Sequence, residues 1–310
     1  MLVFQIKIVF LQEIMPMRYY APILLLLIAI LPIRSATKRA LLIGISDYPI
    51  HKTVENVGWQ NIHGANDIVL IGKTLASQKF KVSQLTNADA TASKIRRALY
   101  KLQSDVKSGD IVYLHFSCHG QPVEDLDGDE KDGWDESIVP YDAWKKPISG
   151  IYDGKNHILD DELNKIIGRI REKAGTNGFV YVIIDACHSG GIDRGEEEDE
   201  MIFCRGTDSG FSLTNKAYVP RMDTRSNIPM QFVEGWANVC MLEACRSYQS
   251  NHEIKMDGTY YGPLSYYIYQ SLLSHQLSSD TNWIMTVKKK MDNNPKLVNQ
   301  NMVIQTTIKQ

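Results

Sequence analysis

The chain predicts an α/β fold, with a mainly parallel central sheet flanked by helices on both faces. Three observations lead there. Runs rich in β-branched and aromatic residues, such as ALLIG (40–44), IVYLHF (111–116) and VYVIID (180–185), have the length and composition of fully buried strands. Between them lie stretches whose apolar residues recur at helical spacing. The two kinds alternate along the chain, which is the pattern of parallel strands joined by helical crossovers.

Taken in order, KRALLIGISDYP (38–49) reads as a buried strand that leaves through Gly44, Ser46 and Asp47. GANDIVLIGKTLASQKF (64–80) follows as a helix with Ile68, Ile71 and Leu75 on one face, and KVSQL (81–85) as a short strand. Thr91 is placed to cap a helix over 91–106, with Ile95, Leu99 and Leu102 inward. The turn SGD leads into the strand IVYLHFSCHG (111–120), and residues 121–142 read as an acidic loop. ILDDELNKIIGRIRE (158–172) is helical and VYVIIDACHSG (180–190) is the next strand. The pattern dissolves from Gly195 to Gly235, beginning with the acidic GEEEDE, so this stretch reads as a long exposed linker. Order returns with a strand at WANVCMLEAC (236–245), helices at 261–274 and 282–291, and a last strand at MVIQTT (302–307).

The 310 residues are 44% hydrophobic and 23% charged with a net charge of -2, an ordinary globular balance that gives no reason to expect a nucleic-acid partner. Residues 15–39 put Arg18 before an apolar run, Pro22 to Ile33, and a short polar exit follows. That is the order of a secretory leader, and the run is short for a membrane span. The expectation is an exported protein, periplasmic or secreted, with an uncleaved membrane anchor as the alternative. The expected organisation is therefore a leader or anchor over 1–36, a catalytic region over 37–194, the linker over 195–235, and the remainder of the same domain over 236–310. Five cysteines, an odd number, imply at least one free thiol in an exported chain. The sequence carries no signal for an oligomeric state.

Function gathers at the carboxyl ends of parallel strands, and the two chemically rich stretches, HFSCHG and IIDACHSG, lie at such ends. A cysteine is a strong nucleophile when an imidazole accepts its proton. His188 directly follows Cys187, and neighbours on an extended chain point apart. His119, at the end of the other strand, is the better partner for Cys187. The N–H groups of Gly120 and Cys187 could then form an oxyanion hole.

These stretches, together with ALLIGISDY, GANDI, GWDESIVPYDA, LDDEL, MLEAC and YGPLSYYIYQSL, occur in an order that resembles metacaspases and bacterial caspase-like cysteine peptidases over roughly residues 38–275. The resemblance implies a caspase-like sandwich and a cysteine endopeptidase, with His119 as general base and Cys187 as nucleophile. It further implies that Asp67, Ser117 and Asp185 line the pocket for P1, the residue whose carbonyl is attacked, and that two carboxylates there select arginine or lysine in protein or peptide substrates. The chemistry needs no cofactor. The family's calcium site would correspond to Asp135, Asp160, Asp161 and Asp193. DLDGDEKDGWDE (125–136) also spaces its acids like a calcium loop, but Glu130 stands where glycine is wanted and no helix leads in. An enzyme that cuts after basic residues would find Arg194, Arg205, Lys216, Arg221 and Arg225 in the expected linker. The rival readings are a legumain- or gingipain-like peptidase, a catalytically silent caspase-fold binding module, and a disulfide-held binding protein in which Cys187 would be oxidised.

Overall fold

A computed structural model describes residues 36–187 and 203–308. Seven strands form one sheet in the order β2-β1-β3-β7-β9-β12-β8. They are β1 Lys38–Gly44, β2 Lys81–Thr86, β3 Ile111–Ser117, β7 Phe179–Asp185, β8 Asn227–Pro229, β9 Asn238–Glu243 and β12 Val303–Thr306. All neighbours pair in parallel except β9 and β12. The expected mainly parallel sheet is therefore present.

Alternate residues of each strand face opposite sides, and each side carries its own apolar layer. Leu41, Ile43, Val112, Leu114, Val180 and Val182 pack beneath Ile95 and Leu99 of α2 (Ala92–Asp105) and Ile166 and Ile170 of α3 (Asp160–Ala174). Ala40, Leu42, Tyr113, Tyr181 and Leu242 pack beneath α1 (Gly64–Ser77), α4 (Pro263–Leu272) and α5 (Asn282–Asp292). Burying each such aliphatic side chain contributes about 1.5–3 kcal/mol over leaving it exposed.

Four local expectations are corrected. Thr91 precedes α2 with an extended backbone, but its side chain makes no capping bond; the Ala92 N–H donates instead to Asp142 Oδ1 at 2.8 Å. The run 111–120 is two strands, not one. The chain turns at the buried Cys118 and leaves the main sheet, so His119 opens β4 (His119–Glu124). Residues 121–142 are not a loop: β4 pairs antiparallel with β5 (Trp134–Val139), which pairs with β6 (Ile158–Leu159) in a small second sheet. The stretch 195–235 is not simply exposed, because Arg205 and Phe211 are fully buried and β8 joins the main sheet. A hairpin of β10 (Ile254–Met256) and β11 (Thr259–Tyr261) was not foreseen.

Among the described residues no helix is long and apolar enough to cross a membrane. The apolar run from Pro22 to Ile33 lies outside the described residues. All five cysteines are free thiols, so the disulfide-held alternative finds no bridge here.

α1 begins pressed against the end of β3. A Cβ on Gly64 would lie 2.1 Å from the Ser117 carbonyl oxygen and 2.8 Å from that of Ile45. Both obstacles are backbone, so Gly64→Ala should lower stability by about 1–3 kcal/mol in denaturant unfolding. His157 is buried, and burial holds it down to about 4 from the ordinary 6.5. A histidine kept neutral in the fold stabilises fully above pH 6.5, and that contribution is lost as pH falls toward 4. The destabilisation caused by His157→Asn should therefore shrink over that interval; a constant difference would contradict the assignment.

Candidate active site

The two strand ends singled out in the sequence meet at a segment of the expected linker. Phe203, Cys204 and Arg205 run antiparallel beside Asn251, His252 and Glu253. The Arg205 N–H donates to the Asn251 carbonyl at 3.0 Å, and the Glu253 N–H to that of Phe203 at 2.9 Å. The Arg205 carbonyl oxygen accepts from the Gly120 N–H and the Cys187 N–H, each at 3.1 Å. Two amides held by different strands thus converge on one carbonyl, the arrangement an oxyanion hole requires.

The Arg205 guanidinium fills the pocket expected for a basic P1 residue, with no exposed surface. Nη1 donates to Asp67 Oδ2 at 2.7 Å and to Ser117 Oγ at 2.6 Å. Nε and Nη2 donate to Glu253 Oε1 at 3.0 and 2.8 Å. α1 positions Asp67 in its first turn, and β3 ends at Ser117 directly opposite Asp185 on β7. Gly262 forms the remaining wall: a Cβ there would lie 2.2 Å from Asp185 Oδ2 and 2.4 Å from Arg205 Nη1.

Asp185 is held mainly by neutral donors. Its carboxylate accepts from Asn251 Nδ2 (2.8 Å) and from the Ser265 N–H and hydroxyl (2.8 and 2.6 Å). It faces Arg205 only at 3.6 Å, while its backbone oxygen accepts from Nη1 at 3.4 Å. It is an anchored charge at the pocket floor, and the direct bonds come from Asp67, Ser117 and Glu253. Burial works against the charge on Arg205, but attraction to Asp67, Glu253 and Asp185 outweighs it and raises its pKa. Burial lifts the Asp67 carboxyl to about 7 against the pull of Arg205. Burial also presses Glu253 upward, but Arg205 and the bonds from His63 hold it below its ordinary value.

Beside the carbonyl, the Cys187 thiol donates to the Gln249 carbonyl at 2.8 Å, and Cys245 shares that acceptor at 3.3 Å. His119 is buried, stacked on Trp59 with ring centroids 4.9 Å apart and tilted against Tyr48. Its Nε2 lies 2.7 Å from the Gln60 carbonyl, so this nitrogen carries the proton and donates it. Nδ1 is left as an unprotonated acceptor with no hydrogen-bond partner. Burial holds the ring neutral, with its pKa pushed down to about 4.

Past Arg205 the chain stays attached. A Cβ on Gly206 would lie 2.3 Å from the Cys187 carbonyl oxygen, a backbone obstacle. Phe211 exchanges backbone bonds with Pro122 and Glu124, and its ring is buried against Tyr152 and His157.

Of the expected calcium ligands, the three among the described residues, Asp135, Asp160 and Asp161, do not form a cluster. Asp135 is buried on β5 and raised to about 7 by burial and then by Asp160, which opens α3. Asp161 pairs with Lys165 at 2.6 Å. Asp193 lies outside the described residues, as do His188 and Arg194. Glu136 and Glu243, not expected, share a cavity of about 340 Å³ with Asp135 and Asp160. The discounted acidic loop does gather Asp125, Asp127 and Asp129 on the surface.

His119, Gly120, Cys187, Asp67, Ser117 and Asp185 were legible in the sequence and converge here. Glu253, Gln60 and Asn251 were missed. Glu253 sits in NHEIK, which carries no periodic or motif signal, and Gln60 and Asn251 act partly or wholly through backbone oxygens that any residue supplies. Arg205 was one of five equivalent basic residues, and only burial distinguishes it.

Residues 37–306 match the family model described as Caspase domain, Peptidase_C14. Metacaspase-1B of Aspergillus fumigatus is 28% identical over 227 residues, which are 65% of this chain and 53% of that protein. Metacaspase-1 of Botryotinia fuckeliana is 34% identical over 136 residues, 44% of this chain and 27% of that one. The chain thus spans about half the length of the first relative and about a quarter of the second. A crystal structure of a Geobacter sulfurreducens protein covers 87% of this chain and 93% of its own length with a TM-score of 0.58 at 21% identity, a likeness of fold alone. With the model spanning nearly the whole described chain and metacaspases among its relatives, this protein belongs to the caspase-domain family of peptidases.

Proposed function

We propose that the protein is a cysteine endopeptidase that hydrolyses peptide bonds after arginine or lysine, and that its first substrate is its own Arg205–Gly206 bond. The observation that carries this reading is the Arg205 carbonyl held by the Gly120 and Cys187 amides while its side chain fills an acidic pocket. In the reaction Cys187 Sγ attacks the Arg205 carbonyl carbon. Its proton passes to His119 Nδ1, whose tautomer is set by Gln60. Negative charge gathers on the oxygen already facing two N–H donors. His119 then gives the proton to the Gly206 nitrogen, the C–N bond breaks, and a thioester links Cys187 to Arg205. Water hydrolyses that thioester, with His119 as base, and restores the thiol.

A pocket filled by the chain's own arginine is closed to other substrates until the segment leaves. This accommodates what favours the silent-module reading, an occupied site, within the enzymatic one. A basic P1 follows from the carboxylates of Asp67, Asp185 and Glu253, since a neutral side chain would leave buried charge unmatched. The thiol and imidazole need no cofactor. The cavity that Asp135, Glu136, Asp160 and Glu243 line together with Arg221, Arg225 and Arg246 offers hard oxygen donors of the kind that suit calcium. Burial and then Asp160 raise Asp135 to about 7, and burial and then Glu136 raise Glu243 to about 8. An exported location belongs to the same reading and rests on the leader-like order of residues 15–39.

Intact-mass analysis of the purified chain should find fragments ending at Arg205 and beginning at Gly206. Cys187→Ala and Arg205→Gln should each remain uncut there; a cut at Arg205 surviving in Cys187→Ala would end the mechanism. Calcium should raise the thermal midpoint of Cys187→Ala, and Glu243→Gln should lessen that rise. An equal rise in both variants would remove Glu243 from the cation site.

A further inference from the structure

The segment before Arg205 is recognised as well as Arg205 itself. Phe203, two residues upstream and so at P3, places its ring 4.6 Å from that of His63 at 87° and 4.9 Å from that of Tyr260 at 69°. His63 and Tyr260 are stacked on each other, 5.0 Å apart at 23°. Two parallel rings therefore meet a third edge-on, the geometry their quadrupoles favour. The slot is held from outside. His63 Nδ1 lies 2.5 Å from Glu253 Oε2, and its backbone N–H donates to Glu253 Oε1 at 2.7 Å. Tyr260 is fixed opposite Lys255 in the β10–β11 hairpin, and its carbonyl accepts from Asn66. Glu253 thus holds His63 with both oxygens and binds the Arg205 guanidinium through Oε1. On the far side of the carbonyl, the Cys187 backbone leaves no room for a side chain at Gly206. Cys204, at P2, is half-buried like Phe203, and its thiol lies against that of Cys187.

We infer that His63 and Tyr260 are specificity-determining residues, forming a subsite for an aromatic side chain at P3, and that the site takes peptides with an aromatic residue at P3, Arg at P1 and Gly at P1′. The inference rests on Arg205–Gly206 being the bond presented for cleavage. Backbone pairing with Asn251 and Glu253 adds the substrate as an antiparallel strand, which supplies affinity without sequence preference. The aromatic slot and the glycine restriction supply the preference.

The test uses the purified full chain and internally quenched peptides that differ only at P3 (Phe or Gly) or at P1′ (Gly or Ala). The kcat/KM ratio of P3 Phe to P3 Gly should be about tenfold. P1′ Gly should exceed P1′ Ala by at least about tenfold. The P3 ratio should fall toward one in Tyr260→Ala and be retained in Tyr260→Phe, which keeps the ring. Arginine peptides cleaved with a P3 ratio near one in the unaltered chain, or with equal rates at P1′, would overturn the inference while leaving the peptidase reading intact. Failure to cleave any arginine peptide would instead overturn the reading on which it rests.

Discussion

One guanidinium, removed entirely from water, is the constraint on which the site depends. Desolvating an arginine costs several kcal/mol unless its donors are met by well-placed charge. Here they are met by residues from four separated parts of the chain: the first turn of α1, the ends of β3 and β7, and the stretch before β10. The pocket can exist only when the central sheet, a helix on one face and the later hairpin have all formed. Close backbone approaches at Gly64 and Gly262 let those parts come near enough. The same burial that makes Arg205 expensive to accommodate makes its position well defined, and its carbonyl is fixed in turn.

Much of this was readable in advance because it follows from periodicity. The strands of the main sheet other than β8 and the five helices come from apolar spacing, and the placement of Cys187 at a strand end comes from the break after VYVIID. What failed has a common cause. β4 and β5 bury nearly every residue, the acids Glu124 and Asp135 included, so the charge of residues 124–136 masks their pairing. The stretch 203–218 lacks any period because its buried residues each fit a particular recess instead of a repeating face: Arg205 the acidic pocket, Phe211 the gap beside Gly154. Irregularity in sequence is not exposure here: it accompanies side chains buried one by one in separate recesses. The adjacent acids at the start of α3 face different neighbours, Asp161 pairing with Lys165 and Asp160 lying near Asp135.

The tether also sets the terms on which any other peptide can bind. A segment joined to the site by short chain is present at an effective concentration on the order of millimolar. A free peptide must exceed that local supply even before its own affinity counts. His119 is held neutral by burial, and the Cys187 thiol donates to the Gln249 carbonyl.

Strand order carries one more implication. β7, which leads to Cys187, lies between β3 and β9, and β9 and β12 come from beyond Arg205. Residues on either side of the Arg205–Gly206 bond therefore supply adjacent strands of one sheet. Severing that bond yields two polypeptides woven together, sharing both apolar layers, that no dilution short of unfolding would part. The chain would become a two-piece assembly whose interface is its own core.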